Sequence, residues 1–190
     1  MAKPRNTRDQ ILDVAEGMIR DAGFNAFSAR GIANTIGVKS ASIHYHFPTK
    51  ADIGVAVTER YIQRFMEALG DPSEISTDAA QVVSYYIDFF RRALVQDKQL
   101  CLCVVLGAES GGIPEPVARR TQVFFERNLQ WLKVALDGSN HPSNVDVEAY
   151  AALILSSVEG ALVISMSLGD RRTFERVASS LLRLLDRVAI

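Results

Sequence analysis

From Ile11 onward the apolar residues recur with a helical period. Ile11, Val14, Ala15, Met18, Ile19 and Ala22 fall at i, i+3, i+4, i+7, i+8 and i+11, one face of an amphipathic helix. Gly23 follows them, where a helix C-terminus favours glycine. Near the other end Phe174, Val177, Ala178, Leu181, Leu182, Leu185 and Val188 repeat the same stripe. Thr49 with Asp52, and Ser143 with Asp146, are spaced to cap two further helix starts, and Pro114 suits the first turn of a long one. The pattern predicts about nine helices, at roughly 7–22, 28–36, 39–46, 49–69, 77–97, 101–110, 114–136, 145–168 and 171–188. Gly70–Ser76 and Asp137–Asn144, rich in Gly, Pro, Ser, Asn and Asp, read as loops. No alternating β-branched run, internal repeat or low-complexity tract is present, so the expected fold class is all-α.

One stretch calls for a membrane test. Ala149 to Gly169 holds a single charged residue, Glu159, and is long enough to span a bilayer. Four serines and a mid-span carboxylate are costly in hydrocarbon, and a helix apolar on most sides is equally one buried on most sides. Ala151, Ala152, Ser156, Gly160 and Ala161 would let other helices approach closely. The segment is read as a buried or interface helix, with no membrane partner.

Composition narrows the classes further. The 190 residues are 48% hydrophobic and 23% charged, enough for a full core without a metal or disulfide staple. Only two cysteines occur, Cys101 and Cys103, and helical spacing would point them to different faces. Met1 to Arg8 is polar and basic, unlike a secretory signal, so a cytoplasmic protein is expected. The net charge of −1 hides an asymmetry. Residues 1–50 hold seven Lys or Arg against four Asp or Glu, while the remainder holds fourteen against eighteen. A basic front on an acidic body suits a nucleic-acid module joined to something else.

The chemistry concentrates in Phe27 to Lys50, FSARGIANTIGVKSASIHYHFPTK. Ser28 is a good N-cap for a short helix whose inner face is Ile32, Ala33 and Ile36. Gly37 turns the chain, and a second short helix starts near Lys39, which is the helix-turn-helix arrangement. On that second helix Ile43 and Phe47 lie about 40° apart and face inward. The opposite side presents Ser40, Ala41, Ser42, His44 and Tyr45, small or flat groups suited to a major groove. Hydroxyls and Lys50 at the rim suit phosphate oxygens. His44 and His46 diverge at i, i+2, and His141 is the only other histidine, so no metal site is expected. Arg5 and Arg8 read either as a tail or as an arm reaching the minor groove.

The run Ile11 to Lys50, with G-F-x-x-F-S, I-A-x-x-I-G-V and S-I-H-Y-H-F-P-T-K, resembles the N-terminal DNA-binding domain of the TetR family over roughly residues 7–55. The resemblance implies an all-helical homodimer whose first three helices read DNA, whose fourth is a link and whose remainder binds a small effector. It places Ser28, Lys39, Ser40, Ser42, Tyr45 and Lys50 at phosphate-contacting positions, and Ala41 and His44 at base-facing ones. His44 departs from the family's commoner tyrosine, while His46 matches a position that packs inward. A division into a reader, 1–50, and an effector-binding and dimerisation body, 51–190, follows.

In that body the aromatic pairs Tyr85–Tyr86, Phe89–Phe90 and Phe124–Phe125 cover adjoining helix faces, so one face can line a cavity while the other packs. Tyr86, Phe89, Phe90, Cys101, Glu109, Phe125 and Trp131 are the candidate effector contacts. Cys101 near a helix start reads either as a sensor thiol or as an inert small hydrophobe, and no Lys or His is spaced to activate it. The last two helices carry the broadest apolar surfaces and would pair across a two-fold axis as a four-helix bundle. No nucleophile motif, phosphate-cradling loop or cofactor motif is found, so a ligand-responsive regulator, most often a repressor on a pseudo-palindromic duplex, is expected rather than an enzyme. A redox- or electrophile-sensing regulator acting through Cys101, or a helical ligand carrier or enzyme, are the alternatives.

Overall fold

The computed structural model describes residues 6–140 and 146–188. Arg5, His141 and Ser143 lie outside the described residues, as do the side chains of Leu185 and Val188. Among the described residues the chain forms nine α-helices and no strand, the expected all-α class. They are α1 (Thr7–Ala22), α2 (Ala29–Ile36), α3 (Ser40–His46), α4 (Lys50–Leu69), α5 (Ala79–Arg92), α6 (Leu102–Ala108), α7 (Glu115–Asp137), α8 (Val147–Leu168) and α9 (Arg172–Val188). The largest departure from the expected bounds is α5. Its start is held back to Ala79 because the Asp78 carboxylate accepts from Gln81 N–H, the geometry of an N-cap. Its end loosens into a π turn over Ala93–Asp97.

The helix starts follow their local chemistry. Asn6 caps α1 by accepting from Arg8 N–H, and Asp146 caps α8 by accepting from Glu148 and Ala149. Thr49 and Asp52 exchange reciprocal hydrogen bonds at 2.9 and 3.1 Å, which starts α4. Gly169, in the left-handed region at φ 62°, closes α8.

The chain divides into two compact units, Met1–Phe65 with Cys101–Phe124, and Met66–Leu100 with Phe125–Ile190. In the first, Ile11, Leu12, Ala15 and Ile19 of α1 share a core with Ile32 and Ala33 of α2, Ile43 of α3 and Ile53 and Val57 of α4. Leu102 and Leu106 of α6 and Val117 of α7 belong to that same core. Among the described residues its one buried charged side chain is Glu16, 8% exposed, which takes Arg64 at 2.6 Å and Arg60 at 3.4 Å. Tyr61, Phe65 and Phe124 form an aromatic trio with centroids 4.9 to 6.2 Å apart.

In the second unit α5, α8 and α9 pack on one another. Phe174, Ala178 and Leu181 of the α9 stripe are consumed inside this unit, and Arg91 of α5 pairs with Glu175 of α9 through two bonds of 2.8 and 2.9 Å. The helix α8 is long and apolar enough to cross a membrane, and its apolar stretch is in part buried within the chain. Ile154, Leu155, Val158 and Leu162 face inward, while Leu153, Ile164 and Leu168 face solvent.

Candidate nucleic-acid interface

Two short helices and a glycine turn set the geometry. The Ser28 hydroxyl accepts from Gly31 N–H at 3.0 Å and starts α2. Gly37, at φ 74° and ψ 32°, ends it in the left-handed conformation that an L side chain resists. Val38 N–H then closes on the Ala33 carbonyl at 3.0 Å, and α3 begins at Ser40. Ile43 is fully buried and Phe47 is 4% exposed, so the inner side of α3 is fixed to the core. Arg8 of α1 lies over the Phe47 ring, its guanidinium 5.2 Å from the centroid, so this residue is part of a helix and not of a tail.

The outer side of α3 is what remains. Lys39, Ser40, Ala41, His44 and Tyr45 are exposed, and Ser42 is half-buried. Tyr45 stands out furthest, 85% exposed, with its ring edge-on to His46 at 5.2 Å. His44 Nδ1 lies 3.3 Å from the Pro48 carbonyl oxygen. A carbonyl only accepts, so the contact is made by the tautomer that carries its proton on Nδ1, which leaves Nε2 as the other ring nitrogen of an exposed side chain. Ala41, Ser42 and Tyr45 border a shallow depression of about 360 Å³ together with Thr7, Val38 and His46. Val38 closes the I-A-x-x-I-G-V run, while Thr7 carried no sequence signal of its own.

Two of the expected contacts are engaged locally. The Ser28 oxygen is occupied as a cap acceptor, which leaves its O–H proton for an external acceptor such as a phosphate. Lys50 donates to the Asn25 carbonyl at 3.2 Å and sits 4.9 and 4.7 Å from the centroids of Phe24 and Phe27. Burial pushes its pKa down, and the Glu109 carboxylate opposes that shift.

The candidate effector residues divide between the two units. In the second, Tyr86 and Phe90 lie 5.2 Å apart and Tyr86 and Trp131 5.7 Å apart, all buried, with Phe89 against Phe90 at 6.4 Å. The Tyr86 hydroxyl donates to Asn128 Oδ1 at 2.7 Å, and the Trp131 indole donates to the Gly70 carbonyl at 2.8 Å. Phe125 is half-buried on α7. In the first unit, Cys101 is buried at the N-cap of α6, and both cysteines are thiols. Glu109 accepts from Phe24 N–H at 2.8 Å, so its carboxylate is turned to the segment after α1.

Comparison with known proteins fits this geometry. A family profile described as bacterial regulatory proteins, tetR family, matches residues 11–57, the stretch that builds α1 to α3 and the start of α4. A second, for the C-terminal domain of LmrA/YxaF-like transcriptional regulators, matches residues 79–180. The chain belongs to the TetR family. It is a DNA-binding transcriptional regulator of that family, and α2 and α3 are its helix-turn-helix. Along 94% of its length it is 26% identical to the HTH-type transcriptional regulator CymR of Pseudomonas putida, of which the match covers 88%. A TetR transcriptional regulator from Legionella pneumophila superposes with a TM-score of 0.86 at 32% identity, over 97% of this chain and all of that one. A TetR-family regulator from Agrobacterium tumefaciens gives 0.88 at 25% identity, over 96% and 99%.

Proposed function

We propose that this TetR-family protein is a ligand-responsive repressor that binds a pseudo-palindromic duplex as a homodimer and leaves it when a small-molecule effector binds. The observation that carries the reading is the split of α3, with Ile43 and Phe47 locked in the core and Lys39, Ser40, Ala41, His44 and Tyr45 turned outward. In this reading Ser28, Lys39, Ser40, Ser42, Tyr45 and Lys50 meet phosphates, and Ala41 and His44 face base edges. Lys50 must exchange its Asn25 and aromatic contacts for a phosphate, or serve from where it stands by adding positive potential. Residues 1–50 read the duplex, and residues 51–190 bind the effector and dimerise.

Three observations support the rest. Tyr86, Phe90 and Trp131 gather in the second unit with Phe89 beside them, the kind of aromatic wall a small organic effector would need, and Phe125 is half-buried on α7. Leu153, Ile164 and Leu168 of α8 and Leu184 of α9 keep apolar surface in solvent on the two helices assigned to the dimer. Cys101 is 4% exposed, which favours an inert thiol over a redox sensor. The protein acts in the cytoplasm, without catalysis, cofactor or metal, and the apolar flank of α8 meets a second copy rather than lipid.

Selection of bound duplexes from a random pool, at two salt concentrations, tests the reading. An enriched inverted repeat is expected, with affinity falling steeply as salt rises. Weak, unselective binding to every duplex would sink it.

A further inference from the structure

The segment between α1 and α2 is held from both sides by opposite charges. Gly23, at φ 86° and ψ 168°, closes α1 through its N–H on the Ile19 carbonyl. The next amide, Phe24 N–H, points away from α1 and donates to Glu109 Oε2 at 2.8 Å, across 85 residues of sequence. One residue on, the Asn25 carbonyl accepts from the Lys50 ammonium at 3.2 Å. The 3-10 turn Phe24–Ala26 therefore has a carboxylate at its donor end and an ammonium at its acceptor end.

Packing makes the arrangement tight. A Cβ at Gly23 would collide with the Glu109 carboxylate. The Phe24 ring lies against Gly54 of α4, where a Cβ would come within 2.6 Å of it, and Val117 of α7 closes the same spot. Phe24 meets Phe27 edge-on at 5.1 Å, beneath Lys50. Immediately after Phe27 comes Ser28, the cap that starts the helix-turn-helix. The Phe24 turn therefore adds a constraint on how α2 enters the core, beside the buried Ile32 and Ala33 of α2 itself.

We propose that Glu109 is a positioning residue for DNA recognition, its carboxylate holding the Phe24 amide so that α2 and α3 are presented in the orientation that reads an operator. The residue touches no DNA in this role; it acts through the turn. Loss of the acceptor leaves a buried N–H without its partner, and the turn must be reordered each time α3 enters a groove. Only the oriented complex bears that cost. A loosely docked complex on random sequence needs the charges of the reader but not its exact angle.

The inference rests on the DNA-binding function of the chain, and the test separates the two. Operator and random-sequence duplex affinities are compared for wild type, Glu109→Ala, Glu109→Gln and Glu109→Asp. The expected result for Glu109→Ala is an operator affinity lower by about tenfold, with random-duplex affinity within about twofold of wild type. Glu109→Gln retains a carbonyl acceptor at the same reach and restores most of the operator affinity. Glu109→Asp is a methylene short and behaves like Ala. Unchanged operator binding in Glu109→Ala overturns the proposal, as does an equal loss on both duplexes, which marks a smaller folded fraction. A Gln variant that falls as far as Ala also overturns it. If Glu109→Ala does not fold, the Gln and Asp pair decides: a selective loss confined to Asp supports the role, and two wild-type-like variants refute it. A wild-type protein with no preferred duplex would instead count against the operator reading itself.

Discussion

His44 is an exposed residue of α3 with one ring nitrogen engaged by the backbone. Its Nδ1 is tied to the Pro48 carbonyl at 3.3 Å, so Nε2 is the ring nitrogen left for another partner. In the neutral ring that atom accepts a hydrogen bond, and the amino groups of adenine and cytosine are the donors a major groove presents. Replacing His44 by Ala is expected to relax base preference at one position of each half-site, by about 1–3 kcal/mol. The dependence of affinity on salt should stay unchanged, because no phosphate contact is lost. Repeating the duplex selection with the variant measures both. The inward anchors Ile43 and Phe47 and the outward set around His44 were legible in the sequence, because 100° per residue sorts a short helix into faces without help from the rest of the chain. The local engagement of Lys50 was not. Its partners, the Asn25 carbonyl and the rings of Phe24 and Phe27, sit 23 to 26 residues earlier, in a turn whose path the sequence does not reveal.

Between elements the same contrast holds. Caps and turns are local, so Ser28, Gly37 and the Thr49–Asp52 pair announced their helices. The way α1 is held to α4 is not local. Leu12, Glu16 and Ile19 lie within about 60° on α1, which puts a carboxylate at the edge of its buried face. That carboxylate needs cations, and Arg60 and Arg64 arrive from α4 with Arg20 in attendance at 4.0 Å. Arg60 also reaches Asp13 at 2.9 Å. The sequence carried no signal for this network, since Glu16 falls beyond the stripe of Ile11, Val14, Ala15, Met18, Ile19 and Ala22. Glu16→Ala removes the hub, leaves Arg64 without its buried acid and leaves Arg60, whose side chain is only 21% exposed, with Asp13 as its remaining carboxylate. Because Arg64 is half in solvent, the loss belongs between a surface pair and a buried one, about 1–3 kcal/mol. Thermal or denaturant unfolding of the full chain checks this, and a change under about 0.5 kcal/mol would show the network to be surface decoration. The membership of α6 in the first unit's core was equally invisible. Leu102 and Leu106 follow a helical period that says they are buried and not what they are buried against.

For the molecule as a whole the issue is the apolar flank of α8. Isolated exposed leucines are ordinary on a soluble protein. Leu153, Ile164 and Leu168 are different because eleven and four residues separate them, which brings all three within about 60° on one helix face. Gly160 lies on the same strip, with open space where its Cβ would be. On α9 the stripe of Phe174, Ala178 and Leu181 is already spent inside the unit, so among the described residues the large apolar side chain left outward there is Leu184. A dimer built on this flank would link two readers, and linkage turns the second docking into an intramolecular event. Ile164→Glu, at a position 50% exposed, places a charge on the flank at little cost to the folded chain. The wild type is expected to sediment at about twice its 20.9 kDa chain mass, and the variant at the chain mass. Operator affinity should fall by about 10²–10⁴ in the variant, while binding to an isolated half-site is retained. A variant that remains dimeric and holds the inverted repeat as tightly as the wild type would move the interface off α8. A variant that is monomeric yet still prefers the full repeat would break the link between the two-fold axis and recognition.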